Sequence, residues 1–133
     1  MYTCAMCGNR SCRTGELDKT PLNCPCNEEE QEKVRELYQD EDNKKLEYCS
    51  ALTEAEGYCK KTRLEEIMDF ANKCGYKKLG LAFCVGLAKE ANTLCKILVH
   101  NGFEVQSIAC KNGSIPKGFL GIKENEKVRP DTY

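Results

Sequence analysis

The chain has 133 residues, enough for one domain with at most a small satellite module. Hydrophobic residues make up 41% and charged residues 31%, a globular balance without the signature of disorder. A net charge of −1 with both signs interspersed leaves no basic stripe to follow a phosphate backbone, which argues against nucleic acid as a partner.

Residues 1–27 are rich in turn formers and nearly coreless. Gly8, Asn9, Gly15, Pro21, Asn23 and Pro25 punctuate them, and only Leu17 and Leu22 are available to pack. Such a segment has little to bury and needs a cross-link to stay ordered. Asn27 with Glu30 reads as a capping box that opens a helix, with three glutamates in its first turn and Val34, Leu37 and Tyr38 on its apolar side, up to about Gln39. The charged stretch 40–45 leads into a second helix, whose face is Leu46, Cys49, Leu52 and Thr53 and which ends near Gly57. Thr62 and Glu65 form another capping box. The helix after it carries Leu64, Ile67, Met68 and Ala71 on one stripe and stops at Gly75.

From Lys78 to Val85 the pattern becomes a short continuous apolar run, as in a strand buried on both faces. A helix begins at Gly86, aligns Leu87, Ala91, Leu94 and Leu98, and closes at Asn101-Gly102. Phe103 to Ala109 makes a second strand. This order predicts an α/β fold built on a βαβ unit with a parallel sheet and a right-handed crossover. The segment 110–133 offers only Ile115, Phe119, Leu120 and Ile122 as apolar residues. Two parallel strands make a poor sheet. Either the helices of 28–74 cover it and the tail adds an edge, or the chain stops before its natural domain does, which is the reading favoured. Two parts are expected: a cysteine-rich module at 1–27, and a helical plus βαβ domain at 28–133 that is incomplete at its C-terminus.

No segment is apolar enough to span a bilayer. The longest apolar run, Leu79 to Ala88, is broken by glycines, and the N-terminus lacks the apolar stretch of an export signal. The expected compartment is therefore the cytoplasm, where thiols stay reduced. Eleven cysteines, an odd number, then point to metal rather than disulfides. Five of them, Cys4, Cys7, Cys12, Cys24 and Cys26, follow the spacing C-x2-C-x4-C-x11-C-x-C. Cys4-Ala5-Met6-Cys7-Gly8 has the form of a knuckle turn that points two sulfurs at one spot, and the intervening loop brings up the others. Four thiolates suffice for tetrahedral zinc or for a [4Fe–4S] cluster, so one of the five is spare. Zinc is favoured, because closed structural sites are common in small coreless modules.

With CAMCGNRSC…NCP, GLAFCVGLAKEA and CKNGSIPKGFLGI, the chain resembles, over essentially its whole length, an uncharacterised prokaryotic family of metal-binding proteins. The resemblance implies Cys4, Cys7, Cys12 and Cys24 as ligands, with Cys26 the extra. It also implies that members run on past Tyr133 with further cysteine-containing segments, and it brings no established activity.

Cys84 and Cys110 end the two strands, at the carboxyl edge where open α/β sheets bind ligands. Cys84 also precedes a helix N-terminus, whose dipole favours thiolate. These two are the candidates for redox, nucleophilic or second-metal chemistry, weighed against the burial that free cysteines usually serve. Cys74 and Cys95 read as packing; Cys49 and Cys59 are placed to meet across the Gly57 turn or to reach the N-terminal module. His100, the single histidine, suits a C-terminal charge role. No triad, carboxylate pair or phosphate-binding glycine spacing is present. Two functions follow. One is a metal-binding protein with a structural N-terminal site and a body that binds an unknown small molecule or protein. The alternative is a thiol- or iron–sulfur-dependent redox protein that uses Cys84 and Cys110.

Overall fold

Residues 4–129 are described by a computed structural model, in which the chain forms two compact units, Met1–Lys60 and Lys61–Tyr133. The break falls between the second and third long helices, so the first two go with the cysteine-rich segment.

In the first unit, short turns at Cys4–Met6 and Leu17–Lys19 flank a one-turn helix α1 (Ser11–Thr14). Nothing between residues 4 and 27 is buried, as expected of a coreless segment. Its local order comes from polar contacts around Asn9. The Asn9 amide Nδ2 donates to the Lys19 carbonyl at 2.6 Å, and Oδ1 accepts from the Ser11 N–H at 3.0 Å. Helix α2 (Glu28–Leu37) is capped by Asn27, whose Oδ1 accepts from the Glu30 N–H at 3.0 Å. The reciprocal arm of the expected capping box is absent for a local reason. The Asn27 N–H donates to the Pro25 carbonyl, and the Glu30 carboxylate pairs with Lys33. Val34, Leu37 and Tyr38 are exposed rather than packed. The helix therefore leans on its cap and on exposed ion pairs such as Arg35–Glu32, each worth only a few tenths of a kcal/mol.

Helix α3 (Glu41–Gly57) begins earlier than expected, because the charged stretch is its first turn rather than a linker. Asp40 caps it by accepting from the Asp42 and Asn43 N–H groups, while Glu41 and Asp42 complement the helix dipole. Cys49, Thr53 and Gly57 are buried, and the Thr53 hydroxyl donates to the Cys49 carbonyl at 2.7 Å. The chain then turns through Cys59, which adopts a left-handed φ of 57°.

The second unit opens with α4 (Arg63–Cys74). Both arms of its capping box are made: the Thr62 N–H donates to Glu65 Oε2 at 2.7 Å and the Glu65 N–H to Thr62 Oγ1 at 3.3 Å. Asp69 accepts from both Lys61 and Lys73, and these two ammonium groups hold its carboxyl below the usual range. Gly75 ends the helix at φ 75°, the left-handed cap that glycine takes without penalty.

Strand β1 (Lys78–Phe83), helix α5 (Ala88–His100) and strand β2 (Glu104–Ala109) form the expected βαβ unit, so the fold class is α/β. The strands pair in parallel from Lys78↔Glu104 to Phe83↔Ala109. Ala71 of α4, Leu98 of α5 and Phe103 form the buried centre, with Leu64, Met68, Leu79, Leu94 and Val105 packed against it. Burial of β1 is not two-sided as the apolar run suggests. Leu79, Leu81 and Phe83 are half-covered, while Lys78, Gly80 and Ala82 between them are exposed. Side chains alternate along a strand, and the buried cluster with α5 covers only one of the two sets. Leu87, expected on the apolar stripe of α5, is exposed because the helix starts one residue later. Beyond Ala109 the described tail adds turns at Lys117–Leu120 and Glu124–Glu126 but no edge strand. Ile115, Phe119 and Leu120 lie exposed there.

Candidate functional site

The parallel ladder carries Cys84 and Cys110 to neighbouring positions, each one residue past the last registered pair, Phe83↔Ala109. The Cys110 N–H donates to the Phe83 carbonyl at 2.8 Å, so pairing continues to the edge where the sulfurs sit. Both thiols are exposed. They open onto a cleft of about 450 Å³ lined also by Ala82, Phe83, Ile108 and Asn112.

After Cys84 the chain turns through Val85–Leu87, and the turn directs the Val85 N–H across the strands to Cys110 Sγ at 3.4 Å. That hydrogen bond is the main reason the Cys110 thiol is held below its ordinary value. Slight burial opposes it, and a side-chain hydrogen bond from Cys84, the charge of Lys111 and a backbone N–H add to it. The sequence points to Cys84 as the favoured thiolate. The structure instead aims an amide at Cys110. Cys84 makes no side-chain cap bond, and α5 begins at Ala88, leaving a tight turn between the thiol and the helix dipole. Lys111 and the Val85 amide are the contributors that sequence reasoning missed. Lys111 was discoverable as the basic neighbour of Cys110, whereas the direction of one backbone N–H has no sequence signal.

The N-terminal cysteines are placed differently. The Cys7 N–H closes the Cys4–Met6 turn on the Cys4 carbonyl at 3.1 Å, and Cys7 Sγ donates to the Asn9 carbonyl at 2.8 Å. Cys26 directs its N–H to Cys24 Sγ at 3.4 Å. Cys4 and Cys12 are exposed, and Cys7, Cys24 and Cys26 half-buried. Among the described residues no three or more His, Cys, Asp or Glu side chains come together as a metal cage. Sequence neighbours are thus brought together, but the five thiols are not gathered at one point.

Cys74, 2% exposed, fits its reading as packing, and half-buried Cys95 lies under the sheet beside Leu81, Phe83 and Ala91. Cys49 is buried on α3 and Cys59 exposed, each a free thiol. His100 is exposed in the last turn of α5, the position expected for a C-terminal charge. No helix among the described residues is long and apolar enough to cross a membrane.

Comparison with known proteins gives a family without a known activity. The model of "Protein of unknown function (DUF1847)" matches residues 23–133, a range that holds Cys84 and Cys110 and leaves out Cys4, Cys7 and Cys12. "Uncharacterized protein MJ0455" of Methanocaldococcus jannaschii is 41% identical over 124 residues, which cover 93% of this chain. The chain spans only 60% of that relative's length. No solved structure matches. With most of its length matched by the family model, the chain belongs to the DUF1847 family of proteins of unknown function.

Proposed function

We propose that this protein is a thiol-dependent redox protein whose reactive centre is the pair Cys84 and Cys110 at the carboxyl edge of the sheet. The observation that carries the reading is the Val85 N–H aimed at Cys110 Sγ between two exposed thiols. An amide donor on sulfur favours thiolate, and thiolate is the nucleophile in every thiol exchange. Brief alkylation with iodoacetamide across a pH series, read residue by residue by mass spectrometry, tests it. Modification of Cys110 is expected to rise at lower pH than that of Cys59, which is exposed and serves as the internal reference. If Cys110 reacts no earlier than Cys59 as pH rises, the pair has no activated thiol and the reading falls.

A second reading belongs to the other unit. The Cys4–Cys7 turn and the Cys26 N–H on Cys24 Sγ support a structural metal held by thiolates from Cys4, Cys7, Cys12 and Cys24, with Cys26 as alternate. Thiolate donors suit zinc, and a [4Fe–4S] cluster is the alternative. Such a metal would act as a fold staple for residues 1–27, in a protein of the cytoplasm that acts on a small molecule or protein partner. Metal analysis with an absorption spectrum of anaerobically purified protein is expected to give about one zinc per chain and a colourless sample. Visible absorption from a brown sample would replace zinc by iron and sulfur. Unchanged metal content in Cys4→Ser would remove that residue from the ligand set.

A further inference from the structure

We infer that Cys110 is the attacking thiol and Cys84 the resolving thiol in two-electron exchange with a disulfide substrate, one with apolar flanks able to enter the open cleft at the sheet edge. This rests on the reading of the pair as a redox centre and assigns its roles and substrate class.

Three observations distinguish the two sulfurs and describe what meets them. The Val85 N–H points at Cys110 Sγ, and Lys111 is adjacent in sequence, so negative charge on sulfur is supported at Cys110. Cys84 lies one residue past the end of the neighbouring strand, as Cys110 does past its own, and its thiol is within hydrogen-bonding reach of Cys110. Adjacent strands lie about 4.8 Å apart, within the span of about 4.4–6.8 Å between Cα atoms that a disulfide bridges, so a bond between the two needs no strand movement. The cleft wall is Ala82, Phe83, Ile108 and Ala109, with Asn112 as its polar end. Such a lining takes an uncharged, apolar group beside the reacting sulfur rather than a strongly hydrated one.

The exchange proceeds in two displacements. The Cys110 thiolate attacks one sulfur of the substrate R–S–S–R′; the Cys110–S bond forms, the substrate S–S bond breaks, and R′–S⁻ leaves with the electron pair and takes a proton from water. Cys84 then gives its proton to water and attacks Cys110 Sγ. The Cys84–Cys110 bond forms, and R–S⁻ leaves and is protonated. One substrate disulfide has been reduced to two thiols, and the protein dithiol has been oxidised by the same two electrons and two protons. A leaving thiolate needs no dedicated acid, which suits an open, apolar cleft. Cleavage of a peroxide is less well served there, because an alkoxide leaving group needs a proton donor close by.

The experiment uses the whole reduced chain and one equivalent of 2,2′-dithiodipyridine, an uncharged aromatic disulfide, with acid quenching at intervals and tryptic mapping. Trypsin separates the two thiols onto peptides 79–89 and 97–111. In the wild type those peptides should become cross-linked, with two equivalents of 2-thiopyridone released per cross-link. In Cys84→Ser the mixed disulfide should accumulate on 97–111. In Cys110→Ser, labelling of 79–89 should be at least tenfold slower than labelling of 97–111 in Cys84→Ser. The wild-type cross-link does not depend on either variant folding. A wild type that labels both peptides without cross-linking them overturns the inference, while rapid alkylation of Cys110 would leave the parent reading standing. Faster labelling of Cys84 than of Cys110 overturns the role assignment. A cross-link formed faster by cumene hydroperoxide than by an equal concentration of the aromatic disulfide overturns the substrate class.

Discussion

Phe103→Ala is expected to lower the unfolding free energy of the protein by about 3–5 kcal/mol, measured as a shift of the urea transition. Phe103 is 4% exposed and lies in the buried cluster with Ala71 and Leu98, where α4, α5 and the strands share their apolar surface. It is also the joint between α5 and β2, and its N–H donates to the Leu98 carbonyl at 3.1 Å. Removing the ring opens a cavity that its neighbours fill only in part, and the loss is a large fraction of the about 5–15 kcal/mol that keeps a domain folded. Phe119→Ala is the matched control. That ring is 80% exposed in the tail, and its removal should change stability by no more than about 0.5 kcal/mol. Equal effects from the two substitutions would mean that the core is not where the structure puts it.

Oxidation of Cys84 and Cys110 to a disulfide is expected to raise the unfolding free energy by about 3–4 kcal/mol, because it closes a ring of intermediate size in the unfolded chain. The comparison is between reduced and oxidised protein in the same urea series, with Cys84→Ser treated identically as the control that should not shift. Linkage then makes a second, electrochemical statement. What the bond adds to folding, folding adds to the bond, so the couple in the native protein lies about 60–90 mV below the same two thiols in an unfolded chain, at 30 mV per 1.4 kcal/mol. A lowered potential suits a donor of electrons to other disulfides, in line with the roles assigned to Cys110 and Cys84. A disulfide that forms but leaves the transition unmoved would show native strain cancelling the ring effect, and the electrochemical argument would fail with it.

The parts of this fold that were legible in the sequence are those governed by local chemistry. Thr62 and Glu65 announce a helix start because both arms of that box are side chain to backbone bonds within four residues. Gly75 and Gly102 mark helix ends because each must adopt a positive φ. The meeting of Cys84 and Cys110 was also legible, since two strands joined by a helix run parallel and end at the same edge. What escaped depends on several groups competing at once. The Asn27 N–H donates to the Pro25 carbonyl while the Glu30 carboxylate pairs with Lys33, and the stretch from Asp40 joins a helix because Asp40 caps it. One-sided burial of β1 follows from how few elements cover the sheet, which an apolar run by itself does not encode. The amide donor meets Cys110 rather than Cys84 because a single peptide plane in the turn after β1 faces across the ladder. The five N-terminal cysteines show the opposite case: a strong spacing signal from which no group of three or more thiols gathers among the described side chains.

The continuous register from Lys78↔Glu104 to Phe83↔Ala109 has a consequence for how this unit assembles. A slip of one residue in either strand would turn that strand's sulfur to the opposite face and carry it out of bonding reach. A disulfide formed between Cys84 and Cys110 would therefore act as a gauge of strand alignment. Added during refolding, a mild oxidant would cross-link the two peptides only in molecules whose β1 and β2 have already locked in step. The yield of that cross-link against time then gives the rate at which the helix crossover delivers one strand to the other.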